Sequence, residues 1–222
     1  MTDRLGGLGG AAGVAVFAVS VLLLHVLQPE LSPRDEAVSY YVHGASGWLL
    51  TVGLLALGIG SLFLVGGLIR GVRGSGATSG RWLVATWAVC VLLGGAFRAD
   101  PPGHWSEPPS VSGMIHGSAA MIAFLALPAA SLCLTRSFRR DSRWVTRARV
   151  LRVLAFAALI SLALFAGSLL PVFVRPGPPI LLGLTERVLL AVYACWLATV
   201  GLGLVEVGRA TSAGYGHAAQ RS

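Results

Sequence analysis

The sequence predicts an all-α protein, a bundle of six transmembrane helices with both termini in the cytoplasm. Three observations lead there. The 222 residues are 55% hydrophobic and 12% charged, with a mean hydropathy of +0.76, so most of the surface cannot face water. Cutting the chain at every charged residue leaves six long uncharged stretches, 5–29, 37–69, 82–97, 108–135, 153–174 and 188–205. The charges between them alternate in kind. These features exclude a soluble globular enzyme and intrinsic disorder, and no glycine-every-third or heptad repeat supports a collagen-like or coiled-coil fold.

Each stretch holds one span, because a helix rising about 1.5 Å per residue needs about 20 residues to cross a hydrocarbon layer of about 30 Å. The expected helices are about 10–28, 47–69, 81–98, 112–135, 150–172 and 181–207, within one integral membrane domain, 1–208, followed by a flexible cytoplasmic tail, 209–222. The first stretch is too long for the core of a cleaved signal peptide and has no small-residue cleavage pattern before Pro29, so it is read as a span. The third, at 16 residues, draws in Arg81 or the Arg98–Asp100 end, with the arginine stem reaching outward. The sixth extends through Ile180, Leu181, Leu182 and Leu184, which places Glu186 and Arg187 inside the helix near one end.

All 17 basic residues are arginine. With six spans, thirteen of them share a side with the termini and the 70–81 and 136–152 loops, and four (Arg34, Arg98, Arg175, Arg187) lie opposite. Arginine-rich short loops stay in the cytoplasm, which orients the bundle in a bacterial cytoplasmic membrane. The +8 net charge is therefore a topology signal and a complement to anionic lipids, the expected partners, and not a nucleic-acid surface. No protein partner is indicated. Cys90, Cys133 and Cys195 form no CxxC pair and read as small buried hydrophobes.

Between the first two spans, Ser32-Pro33-Arg34-Asp35 resembles a helix start and Gly44 a stop, predicting a short interfacial helix bearing Tyr40, Tyr41 and His43. Pro101, Pro102, Pro108 and Pro109 stiffen the 99–112 loop, which lies over the outer mouth of the bundle. Small residues, Gly9 with Gly13 and Gly113 with Gly117, are expected at helix contacts. Pro128 frees a backbone carbonyl within the fourth span.

Ionisable groups are costly in hydrocarbon, so those at span ends are functional candidates beside the plainer reading that they pair helices. They gather at one end: His25, Arg98, Asp100, His116, Glu186 and Arg187. The catalytic candidates are His116, Asp100 and Glu186, with His116 as a base or donor oriented by Asp100. Arg98, Arg187, Tyr40 and His43 are the substrate-binding candidates. A metal site from His25, His116, Asp100 and Glu186 is a weaker alternative, since neither HxxxH nor HExxH spacing occurs. No cofactor is required by the sequence, and no phosphate loop, GxSxG elbow or nucleotide fingerprint is present.

Ser39-Tyr40-Tyr41-Val42-His43-Gly44, Phe97-Arg98-Ala99-Asp100-Pro101, Gly113-Met114-Ile115-His116 and Gly183-Leu184-Thr185-Glu186-Arg187 occur in this order across the span ends. In that order and spacing the chain, over residues 10 to 208, resembles the prokaryotic multi-pass membrane family catalogued as domain of unknown function family 998. The resemblance implies a six-helix membrane fold and no particular reaction. Two functions fit the sequence. One is binding or transforming a lipophilic, lipid or prenyl-type substrate in an extracytoplasmic pocket. The other is a non-catalytic membrane component, a small transporter, sensor or assembly partner. For the orientation, cysteines substituted singly at 104 and 143 in cells are expected to react at 104 and stay shielded at 143 against a membrane-impermeant thiol reagent; the opposite labelling inverts the topology.

Overall fold

The computed structural model describes residues 2–74, 76–103, 107–174 and 178–219; His104 and Arg175 lie outside them. The described chain is helical throughout: α1 (Thr2–Leu27), a 3-10 helix (Val38–His43), α2 (Trp48–Gly71), α3 (Ala77–Ala96), α4 (Val111–Arg140), a second 3-10 helix (Ser142–Trp144), α5 (Val145–Ser168), α6 (Leu170–Val174) and α7 (Leu182–Ala219). Six segments are long and apolar enough to cross a membrane, with Ser142–Val172 counting as one. Large apolar side chains such as Leu22, Val26, Trp48, Phe63 and Trp82 are exposed on the outside of the bundle, as a lipid-facing surface requires.

Three boundaries differ from the sequence reading. The short helix expected between the first two spans carries Tyr40, Tyr41 and His43 and stops at Gly44, but it is a 3-10 helix that starts at Val38 after a turn at Ser32–Glu36, with Val38, Tyr40 and Tyr41 buried against the bundle. Aromatic burial draws the segment inward. The fourth helix runs five residues past 135, to Arg140. The last one continues to Ala219, where a tail was expected from 209. No proline stops it, and extending an existing helix costs far less than starting one.

The spans form a ring in sequence order, α1 on α2, α2 on α3, α3 on α4, α4 on α5 and α5 on α7, and α7 closes it against α1. The closure depends on glycine. A Cβ on Gly13 would lie 2.4 Å from the Ala56 carbonyl oxygen and 2.9 Å from Gly60 Cα, and one on Gly6 would lie 2.8 Å from Gly67 Cα. On the other face of α1, a Cβ on Gly7 would lie 2.3 Å from the Gly201 carbonyl oxygen of α7. Helices in lipid gain little from apolar contact alone, so this backbone approach is what holds α1 in place. Gly9 and Gly13 meet α2 as expected, Gly9 at the Phe63 side chain and Gly13 at the Ala56–Gly60 backbone, whereas Gly113 meets a carboxylate and Gly117 has open space around it.

At the arginine-rich end, polar groups close the helix termini. The Gly71 carbonyl, left without a partner in α2, accepts bonds from Arg143 and from Trp144 Nε1, each at 3.3 Å. Arg81 reaches back along the surface, donating to the carbonyls of Ala77 and Ile69, as its early position in the third span predicts. Arg143 is bound by Asp141, whose carboxyl it holds below the usual range. Arg147 of α5 pairs with Glu206 of α7. Cys90 is buried, but Cys195 is exposed on the bundle surface, contrary to the expectation for it.

Mid-bundle, Pro128 removes the amide hydrogen that would bond the Phe124 carbonyl one turn earlier. The Tyr193 hydroxyl of α7 donates to that oxygen at 2.6 Å. Tyr193 also meets Trp87 and Phe124 edge to face, so a proline-made vacancy in one helix becomes a tie between two. Tyr193→Phe is expected to cost about 1–3 kcal/mol by orphaning a buried carbonyl. In a Pro128→Ala background the restored amide takes the oxygen and the same change costs less; equal costs in detergent unfolding of both backgrounds would break the coupling.

Candidate functional site

At the end of the bundle opposite the arginine-rich loops, α4 and α7 stand apart and leave a chamber of about 640 Å³. Its lining divides by chemistry. Tyr40, Asp100, Glu107, Ser110, His116 and Glu186 supply polar groups, and Met121, Phe124, Phe165, Leu169 and Leu182 supply an apolar wall. The Phe124 and Phe165 rings pack edge to face, 5.0 Å between centroids. Gly117 and Met121 line the chamber and are exposed, so it opens beside α4. A narrower cleft of about 60 Å³ runs into the core among Leu54, Leu57, Trp87 and Cys90. His116 and Glu186 border both spaces.

His116 is aimed by the end of α3. Its Nδ1 lies 2.9 Å from both the Gly94 and Phe97 carbonyl oxygens. Carbonyls only accept, so Nδ1 carries a hydrogen, and in the neutral ring Nε2 keeps its lone pair. The Gly94 carbonyl belongs to the last turn of α3 and would otherwise lack a helical partner. Asp100 therefore does not orient this ring, as the sequence reading supposed. It serves the start of α4: Asp100 Oδ2 accepts from Ser110 N at 3.0 Å, and Ser110 Oγ, the N-cap, accepts from Gly113 N at 3.0 Å. A Cβ on Gly113 would lie 2.0 Å from Asp100 Oδ2, which is why glycine stands there. The carboxylate sits at the positive end of the helix dipole, a stabilising placement.

Glu186 is 7% exposed and accepts from Val38 N at 2.6 Å. The N-cap of that 3-10 helix, Ala37, has no side-chain bond to offer, so the α7 carboxylate takes the cap's place. Tyr40, two residues on, lines the chamber. Its phenol is pushed far above the ordinary range, first by burial and then by the charges of Glu186 and Glu36, so the hydroxyl stays protonated.

Arg187 turns away from the chamber, as successive helical residues point about 100° apart. Its Nε donates to His25 Nε2 at 2.8 Å, Nη1 to the Glu36 and Gly183 carbonyls at 2.7 and 2.9 Å, and Nη2 to the Tyr41 hydroxyl at 3.2 Å. The guanidinium also lies 5.6 Å from the Tyr41 ring centroid. Because Arg187 must donate, His25 Nε2 accepts, and Nδ1 holds the hydrogen given to the Val21 carbonyl at 2.7 Å. Arg187 is thus a clamp joining α1, the 3-10 segment and α7. Gly183 permits it: a Cβ there would lie 2.4 Å from the Glu36 carbonyl oxygen.

The structure thus brings together Tyr40, Asp100, His116 and Glu186, and separates the other candidates from them. Arg98 is exposed and outside the chamber lining. His43 donates from Nε2 to the Ala99 carbonyl at 2.9 Å and is exposed. With both ring nitrogens of His25 engaged, the four-residue metal set is not assembled, and the described residues contain no group of three His, Cys, Asp or Glu placed to hold a metal ion. The sequence reading missed Phe124, Phe165, Met121 and Gly117. Apolar residues and a helical glycine carry no local sign of facing a cavity, although the Pro128 pattern does mark Phe124 as unusual.

His25→Ala is expected to lower stability by about 2 kcal/mol, through loss of a bond to a charged donor, while leaving the chamber's shape intact. The check is detergent unfolding alongside accessibility of a cysteine placed at 117; reaction there at an altered rate would show that the clamp shapes the chamber.

No curated protein and no solved structure matches the chain. The model of a family described as proteins of unknown function, DUF998, matches residues 11–203. That match covers nearly the whole ring of spans, and this chain of six helices long and apolar enough to cross a membrane belongs to the DUF998 family.

Proposed function

We propose that this protein binds a lipophilic, lipid or prenyl-type molecule in the chamber between α4 and α7, on the extracytoplasmic side of a cell membrane. The observation that carries the reading is the chamber itself. Its volume of about 640 Å³ falls in the range of about 300–1,000 Å³ common to small-molecule sites. Its two walls differ in polarity, as an amphiphile requires. The apolar part lies along Met121, Phe124, Phe165 and Leu169, and the polar head meets His116, Glu186, Asp100 and Tyr40. The side opening at Gly117 and Met121 suits entry from the bilayer. The arginine distribution supports the orientation.

His116 is the group best placed to act on a bound head. Its Nε2 lone pair belongs to a ring already fixed by two carbonyls, the arrangement a general base needs. Arg98, Arg187 and His43, expected beforehand to touch substrate, take no part in this proposal.

Gly117 offers the sharpest test. A Cβ there would meet nothing within 4 Å, and replacing a helical glycine favours the helix by roughly 0.5–1 kcal/mol. Gly117→Leu should therefore fold normally while taking up space at the mouth of the chamber. Mass spectrometry of lipid extracts is expected to find an amphiphile co-purifying with the parent protein and depleted at least about tenfold in the variant, the loss that about 1.4 kcal/mol of binding produces. Equal retention by both proteins would overturn the proposal in favour of a scaffold or assembly role.

A further inference from the structure

We propose that the polar head held in this chamber is a cation of the amine class, able to donate hydrogen bonds, and not a phosphate or carboxylate. The inference rests on the amphiphile reading and adds the chemistry of the head.

The hydrogen-bonding inventory of the wall points this way. Among the described lining residues are three carboxylic acids, Asp100, Glu107 and Glu186, and no arginine or lysine. The neutral histidine presents an acceptor, because its Nδ1 hydrogen is given to the Gly94 and Phe97 carbonyls and leaves Nε2 bare. Glu186, 7% exposed, borders both the chamber and the cleft behind it. A buried carboxylate in such a place is strongly favoured by a cationic partner.

Two features beside the chamber that could welcome an anion are already engaged. Arg187, the nearest cation in sequence to Glu186, spends its donors on His25, Tyr41 and two carbonyls. The first turn of α4 is the natural anion site at this end, but Asp100 and Ser110 already hold two of the amides there, with Ser110 N given to Asp100 and Gly113 N to Ser110 Oγ. An incoming phosphate would meet Asp100 there and be repelled. An ammonium head meets acceptors, with the Tyr40 and Phe124 rings on the same lining to add cation–π attraction.

The experiment compares dodecylamine, dodecanol and dodecyl phosphate, one chain with three heads, binding to the full protein in an uncharged detergent at neutral pH, read by the shift in thermal unfolding. Dodecylamine is expected to bind about tenfold or more tightly than dodecyl phosphate, with dodecanol between them. Glu186→Gln is expected to remove most of that preference, and Asp100→Asn, which keeps an acceptor for Ser110 N, to reduce it should Glu186→Gln not fold. Dodecyl phosphate binding as tightly as dodecylamine would overturn the head assignment, as would a preference unchanged in both variants. Either result leaves the chamber reading standing, which dodecanol tests separately: its binding should be lost in Gly117→Leu. Dodecanol bound equally by that variant would sink the chamber reading, and this inference with it.

Discussion

The architecture depends on how closely α1 can approach its two neighbours. A hydrocarbon solvent supplies no hydrophobic drive between apolar helices, so contact has to come from dispersion at short range. Gly6 and Gly13 bring α1 onto α2 at Gly67 and Gly60, and Gly7 brings it onto α7 at Gly201. The ring of spans closes at that seam. Residues elsewhere are then committed to positions around a fixed perimeter, and the interior between α4 and α7 is what the perimeter leaves incompletely filled.

The same solvent dictates the polar chemistry. With little water to satisfy them, backbone and side-chain groups must find partners inside the protein. The Phe124 carbonyl freed by Pro128 takes the Tyr193 hydroxyl, the Gly71 carbonyl takes Arg143 and Trp144, and the Gly94 carbonyl takes His116. Each of these bonds crosses between elements, so satisfying a lone group also ties helices together. The bond to His116 does more than that. It fixes the ring and determines which nitrogen remains as an acceptor at the chamber wall.

Much of this was legible beforehand, and unevenly so. The six spans followed from uncharged stretches matched to bilayer thickness. The clustering of His25, Asp100, His116 and Glu186 at one end followed from their depth in alternating spans. Depth says nothing about azimuth, however. Glu186 and Arg187 are chain neighbours, yet one lines the chamber and the other faces α1. Asp100 and His116 share an end but not a hydrogen bond. Gly113 and Gly117 look alike in sequence, while one is pressed against a carboxylate and the other borders open space. Between the first two spans the short helix ends at Gly44 as its stop signal indicated, but it begins at Val38 and not at the capping pattern of Ser32, because the buried Tyr40 and Tyr41 set its position.

What the sequence by itself determined was the one-dimensional part: the number of spans, their apolar lengths, and the end at which ionisable groups collect. Those follow from transfer free energies summed along a chain, and they need no neighbours. Tertiary structure decided which helix faces meet, and with that the division of the polar residues into a clamp around Arg187, a cap at α4 and a chamber wall around His116 and Glu186. A side chain's partner depends on the rotation and spacing of helices set by packing elsewhere in the ring, so no local pattern encodes it.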